Sequence, residues 1–154
     1  FSMNFIGLRF FTVYGPWGRP DMSPYIFINK LINNSEINLF DHGRGIRDFT
    51  YIDDIVDAIY LIVKKYEKVK SLPKHEVYNL GLGQPISTKN FLNQIEELLN
   101  KKAKIKNEKK RKADMKITYS DSSKFKLDYN YTFKTTTKKG LKNLIDWYQR
   151  YIKK

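Results

Sequence analysis

The apolar positions of this chain fall into short dense runs at its start and into helical stripes thereafter. Residues 5 to 13 carry Phe5, Ile6, Leu8, Phe10, Phe11 and Val13, which predicts a buried strand. A strand so apolar belongs in a parallel sheet with helices over it. The next eight residues, Tyr14 to Asp21, include Gly15, Pro16, Gly18 and Pro20 and read as a loop. Ser23-Pro24 then predicts a helix start, Ser as cap and Pro at the first helical position, with Ile26, Phe27 and Leu31 as the buried face. Ile37 to Phe40 reads as a strand ending in the turn Asp41-His42-Gly43-Arg44-Gly45. Thr50-Tyr51-Ile52-Asp53 fits a capping box, followed at helical spacing by Ile55, Val56, Ile59, Ile62 and Val63. A strand over Glu76 to Leu80 leads through Gly81-Leu82-Gly83-Gln84-Pro85 to a helix capped by Ser87 or Thr88, with Phe91, Leu92, Ile95, Leu98 and Leu99 on one stripe. A short helix near Ser122 to Leu127 and a last one from Thr137 to Ile152, buried through Leu141, Leu144, Ile145, Tyr148 and Ile152, complete the pattern. Strands alternating with helices define the α/β class.

Composition narrows this picture. The 154 residues suffice for one domain with its own core, and 41% hydrophobic content is that of a globular chain. With zero Cys, disulfides, thiolate nucleophiles and zinc–thiolate clusters are excluded, and a chain whose only histidines are His42 and His75 argues against a His-rich metal site. No apolar stretch is long enough to span a bilayer. The expectation is a soluble, cytoplasmic protein with no metal.

The formal charge of +13 points to anionic partners, whether nucleic acid, membrane surface or phosphate-bearing small molecule. Its makeup argues otherwise for the first two. Lys greatly outnumbers Arg, and Asn, Ile, Tyr and Phe are also abundant, a set that A- and T-rich codons produce without selection for binding. The densest run, KKAKIKNEKKRKADMK from Lys101 to Lys116, carries no aromatic residue on which a base could stack. A basic, non-catalytic nucleic-acid binder using that run is therefore the rival of another class, and the expectation is no nucleic acid and no membrane.

Several chemical patterns have ordinary explanations. Asp53 and Asp54 are adjacent on a helix and do not face each other, so they read as first-turn charges favoured by the helix dipole. Tyr60-x-x-x-Lys64 and Tyr66-x-x-x-Lys70 match a proton-transfer spacing, yet neither follows a strand into a ligand crevice. His42 and His75 lie in turn-like contexts and read as exposed. Gly81-Leu82-Gly83 is too short for a phosphate-binding fingerprint. What remains is a set of separated Arg and Asp residues in loops and at strand ends: Arg19, Arg47, Arg111 and Asp114. Ligands of open α/β sheets bind at the carboxyl ends of strands, where Thr12 and Arg19 belong. Guanidinium forks match carboxylate and phosphate in two-point fashion.

RFFTVYGPWGRPDM (Arg9 to Met22) and FDHGRGIRDFTYIDDIVDAI (Phe40 to Ile59), with YNLG (Tyr78 to Gly81) and DWYQRY (Asp146 to Tyr151), resemble the extended short-chain dehydrogenase/reductase enzymes. Among them the sequence is most similar to the bacterial UDP-glucuronate 4-epimerases. The resemblance implies the C-terminal part of a Rossmann-type fold, the last sheet strands plus a small mixed α/β substrate-binding domain, over residues 1–154. It also implies that the NAD-binding half, with its Gly-x-x-Gly-x-x-Gly turn and catalytic Tyr-x-x-x-Lys pair, lies outside this stretch. These residues alone would then be inactive and would fold poorly. By the same resemblance Thr12 lies beside the sugar, Arg19 pairs with the hexuronic carboxylate and Arg47 meets the diphosphate. Arg111 and Asp114 meet phosphate and ribose hydroxyls, although Arg-Lys-Ala-Asp replaces the family's Arg-Pro-Gly-Asp. Phe10 lies near the nicotinamide of NAD, and Tyr14 with Gly15 and Pro16 shapes the bend that delivers Arg19. The implied whole is a homodimeric NAD-dependent epimerase supplying cell-surface polysaccharide precursors. Dehydratases and UDP-hexose epimerases share the scaffold and are the near alternatives.

Overall fold

The computed structural model describes residues 5–67, 75–110 and 114–152. Its first strands are β1 (Phe5–Phe10) and β2 (Thr12–Tyr14), followed by α1 (Ser23–Ile32), β3 (Ile37–Phe40) and a 3-10 turn, Asp41–Gly43. Next come β4 (Ile46–Arg47), β5 (Phe49–Tyr51), α2 (Ile52–Glu67), β6 (His75–Leu80), β7 (Ile86–Ser87) and α3 (Thr88–Leu99). The rest is β8 (Ile105–Glu108), β9 (Ile117–Thr118), α4 (Ser123–Tyr129) and α5 (Thr137–Tyr151).

Three strand pairs are parallel: β1 with β6, β2 with β5 and β3 with β8. A fourth sheet has order β7-β4-β9, with β4 antiparallel to β7 and parallel to β9. Parallel pairing requires long crossovers, and the helices supply them. Two apolar clusters result. One packs Phe27, Ile28 and Leu31 of α1, Phe91, Leu92 and Ile95 of α3, and Leu141 and Leu144 of α5 against Ile37, Leu39 and Phe49. The other joins Ile55, Ala58 and Ile62 of α2 to Tyr78 and Leu80 of β6, Phe125 and Phe133.

Several local expectations are corrected by competing hydrogen bonds. The α1 cap is Met22, not Ser23: Met22 is extended (φ −82°, ψ 146°), and its carbonyl already accepts the Ile26 N–H at 3.1 Å. The face of α1 shifts with it, so that Tyr25 and Ile28 are buried and Ile26 is exposed. Thr50 does not cap α2. It lies in β5, fully buried, and its hydroxyl accepts the Leu82 N–H at 3.0 Å. Val56 and Val63, placed by spacing on the buried stripe, are 54% and 53% exposed, and Ala58 takes the inner position instead. Ile152 is likewise exposed. Ser87 caps α3 as expected, accepting the Asn90 N–H at 3.1 Å.

The first strand is less covered than its composition predicts. β1 has β6 on one side, and Phe5 and Phe10 are 47% and 49% exposed. Asp54, read as a first-turn charge, faces inward: it accepts the Lys134 and Thr135 amides at 3.1 and 2.9 Å and the Thr135 hydroxyl at 2.9 Å. A buried carboxylate demands such donors, and here they pin the segment before α5 onto α2. The Lys-rich run is not a free basic face, because β8 crosses it, Lys101 donates to the Ile32 carbonyl and Lys102 pairs with Glu96.

Candidate functional site

A cleft of about 360 Å³ opens where the start of α1, the end of β3, β4 and the approach to β9 converge. Its floor is apolar, built from Phe27, Leu39 and Phe49. Thr12, Arg47 and Asp114, which stand far apart in the chain, all line it.

The strands explain this convergence. Thr12 begins β2 in register with Phe49, and its N–H donates to the Asp48 carbonyl at 3.1 Å. Arg47 ends β4, the central strand of the three-stranded sheet, opposite Ile86 on one side and Thr118 on the other. Its guanidinium folds back so that Nη1 donates to the Ile46 carbonyl at 2.8 Å. The Lys116 carbonyl accepts the Ile46 N–H at 3.1 Å, which ties residues 114–116 to the same wall.

Lys110 and Lys116 add two cations to Arg47 along the lining, and Asp21 and Asp41 add acids. A hydrogen bond from Arg44 holds the Asp41 carboxyl below the usual carboxylate range. The sequence reading did not single out Lys110 or Lys116, because both sit in a run whose lysines look interchangeable; their position on either side of Asp114 was the available signal. Thr88 stands beside Ser87 as the second candidate cap. Its hydroxyl and amide instead both donate to the Gly45 carbonyl, at 3.0 and 2.9 Å, closing the cleft beside Arg47.

Arg19 does not line the cleft. Its Nε and Nη2 donate to Asp21 Oδ1 and Oδ2 at 3.1 and 3.0 Å, and it is Asp21 and Met22 of the same loop that reach the lining. That loop is braced. The Tyr25 hydroxyl accepts the Gly18 N–H at 2.9 Å and donates to the Gly15 carbonyl at 3.0 Å, and a side chain at Gly15 would strike Ile52. Phe10 presents its half-exposed ring at the carboxyl end of β1. Tyr14 is in the core, its hydroxyl donating to the Thr137 carbonyl at 3.0 Å. Burial, with Tyr51 and Asp54 nearby, raises its pKa well above that of an ordinary phenol. Arg111 lies outside the described residues.

Tyr60 and Lys64 stay on the outer face of α2, with the Lys64 ammonium 6.0 Å from the Tyr60 ring centre, away from the cleft lining. The second such spacing includes Lys70, outside the described residues. A larger hollow of about 480 Å³ is walled by Trp17, Tyr25, Trp147, Tyr148 and Tyr151, and among the described residues Lys30 is the one charged residue on it. It offers no set of cations for a charged ligand. Among the described residues, no group of His, Cys, Asp and Glu could hold a metal ion, and no helix is long and apolar enough to cross a membrane.

The cleft lies at strand ends, where the ligands of open α/β proteins bind, and carries Arg47, Lys110 and Lys116 on its lining. The profile of the NAD dependent epimerase/dehydratase family matches residues 1–81. The chain belongs to that family. It is similar to Protein CapI of Staphylococcus aureus, with 36% identity over 166 residues covering 100% of this chain and 50% of that one. It is also similar to the UDP-glucuronate 4-epimerase of Thermodesulfobacterium geofontis, 37% identical over 153 residues, covering 99% of this chain and 45% of that protein. Among solved structures, the UDP-glucuronic acid 4-epimerase of Bacillus cereus in complex with UDP-glucuronic acid and NAD superposes with a TM-score of 0.84 at 29% identity. It covers 94% of this chain and 45% of that one. The chain thus spans about half the length of the relatives it matches.

Proposed function

We propose that this chain is the UDP-sugar-binding portion of an NAD-dependent 4-epimerase, with UDP-glucuronate as its sugar. The observation that carries the reading is the meeting of Thr12, Arg47 and Asp114 in one cleft, joined by Lys110 and Lys116. A UDP-sugar acid brings a diphosphate and a carboxylate, so its site needs several cations at fixed positions. Arg47 and the two lysines meet the diphosphate, Asp114 accepts from ribose hydroxyls, and Thr12 lies beside the sugar. Arg19 is the partner for the sugar's carboxylate.

The residues present fit one end of NAD. The exposed Phe10 ring at the carboxyl end of β1 offers a flat apolar face to a nicotinamide, and Tyr14 supports that bend from the core. The chemistry supplied by bound NAD is acceptance and return of hydride at the sugar's C4. The chain's own residues bind and orient the nucleotide sugar, and acid–base work falls to residues outside them. In this reading the whole enzyme is a homodimer working in the cytoplasm.

Titration of the chain with UDP, UDP-glucose and UDP-glucuronate tests the reading. UDP-glucuronate should bind most tightly, and Arg47→Ala should weaken all three by about tenfold or more, the worth of one charge-assisted hydrogen bond. Tighter binding of UDP-glucose would turn the assignment to a hexose enzyme. Binding of none of them by a chain that unfolds cooperatively, and so is folded in the assay, would remove it.

A further inference from the structure

The Arg19 guanidinium already holds a carboxylate. Asp21 meets it at two points, Nε to Oδ1 at 3.1 Å and Nη2 to Oδ2 at 3.0 Å, the geometry with which arginine receives any carboxylate. Asp21 stands on the cleft lining and Arg19 does not, so the acid is the member of the pair that meets the cleft.

We propose that Asp21 is a specificity-tuning residue: it occupies the Arg19 fork in the free chain, and an acidic sugar must take its place. The inference rests on the proposed binding of a UDP-sugar acid and adds to it a residue that sets acid-over-hexose selectivity. Two features make the exchange feasible. The loop backbone is fixed, with the Gly18 N–H on the Gly15 carbonyl, the Met22 N–H on the Arg19 carbonyl, and Trp17 wedged against the rings of Trp147 and Tyr151. Only side chains need to move. The pair is also weakly held, since its side chains are 73% and 68% exposed and water screens the attraction. A ligand carboxylate must displace Asp21 from the fork, so Asp21 competes with it for Arg19. Asp21 thereby taxes the acid, whereas a neutral hexose leaves the Arg19–Asp21 pair untouched.

The test is Asp21→Asn in the full chain, with dissociation constants for UDP-glucuronate and UDP-glucose followed through tryptophan fluorescence at one ionic strength. The ratio of the two constants should shift about twofold to fivefold in favour of UDP-glucuronate, the range of an exposed ion pair. In an Arg19→Ala background the same substitution should shift it no further. An unchanged ratio, or an equal shift without Arg19, overturns the proposal and leaves the UDP-sugar reading standing. Failure of the unsubstituted chain to bind either nucleotide sugar removes that reading and the proposal with it. Both side chains are exposed, so folding does not confound the comparison; matching unfolding curves verify it.

Discussion

The Asp48 carboxylate accepts the amide hydrogen of Ser120 at 3.0 Å, although 72 positions separate the two residues. The same oxygen accepts the Gly83 amide at 2.9 Å, and the Asp48 carbonyl takes the Thr12 amide at 3.1 Å. One fully buried residue, next to Arg47, therefore joins β2, the turn after β6 and the segment after β9. This is how residues from three parts of the chain come to share one cleft.

Replacing Asp48 with Ala leaves two amides without acceptors in the interior, at a cost of about 2–4 kcal/mol. Asp48→Asn keeps an acceptor oxygen and should lose about 1 kcal/mol, since its new N–H₂ falls where Oδ1 has no partner. Urea unfolding of the two variants separates these outcomes; equal losses would show that the amides are not what Asp48 is for.

Gly140 lies in α5 where the helix crosses Tyr14. A Cβ there would sit 2.2 Å from the Tyr14 hydroxyl and 2.9 Å from Tyr51 Cδ2. Ala is the better helix former by about 1 kcal/mol, yet the overlap should reverse that gain and destabilise by about 1–3 kcal/mol net. A lower thermal midpoint for Gly140→Ala is the expected result. A higher one would mean that the Tyr14 to Thr137 hydrogen bond can slide without loss.

Glu96 is buried on α3, which by itself would raise its pKa. The Ala103 amide at 2.8 Å and the Lys102 ammonium at 3.1 Å outweigh burial and hold it below its ordinary value of 4.5. A carboxylate with a lowered folded pKa stabilises the fold above its unfolded pKa, and that contribution is lost as pH falls through the folded value. Stability should therefore decline as pH drops below about 4.5, with a shallower decline in Glu96→Gln. Denaturation midpoints from pH 7 to pH 3 give the comparison, and identical slopes would exclude Glu96 as a source of acid sensitivity.

The parts legible in the sequence are those where local pattern and tertiary demand agree. Ile37–Phe40 alternates and is a strand; Phe91, Leu92 and Ile95 repeat at helical spacing and are buried. Two-residue strands such as Ile46–Arg47 and Ile117–Thr118 show no period, because two residues cannot. β8 is hidden inside a lysine run, where only Ile105 hints at an inward face. Thr50 looks like a cap because its hydroxyl is at the right spacing, but the Leu82 amide, 32 positions away, takes it first. The cleft is partly legible for the same reason. Strand-end logic reaches Thr12 but points equally to Arg19, which is not on the lining, and Arg47 is flagged by the Gly-rich turn before it; the Arg19–Asp21 pairing is a side-chain choice that no spacing encodes.

Trp17 adopts φ 61°, a left-handed conformation uncommon for a bulky residue, and rings from α5 meet it edge-on at 5.1 and 5.4 Å. The last helix therefore works as a clasp on a loop introduced some 130 residues earlier. Helix ends fray before cores melt. On warming, the turn of α5 that carries Trp147 and Tyr151 should loosen first, releasing Trp17 and with it the orientation of the loop. Under the proposed binding of a UDP-sugar acid, ligand discrimination should then fade at temperatures where the protein is still folded, which puts the thermal limit of that selectivity below the thermal limit of the fold.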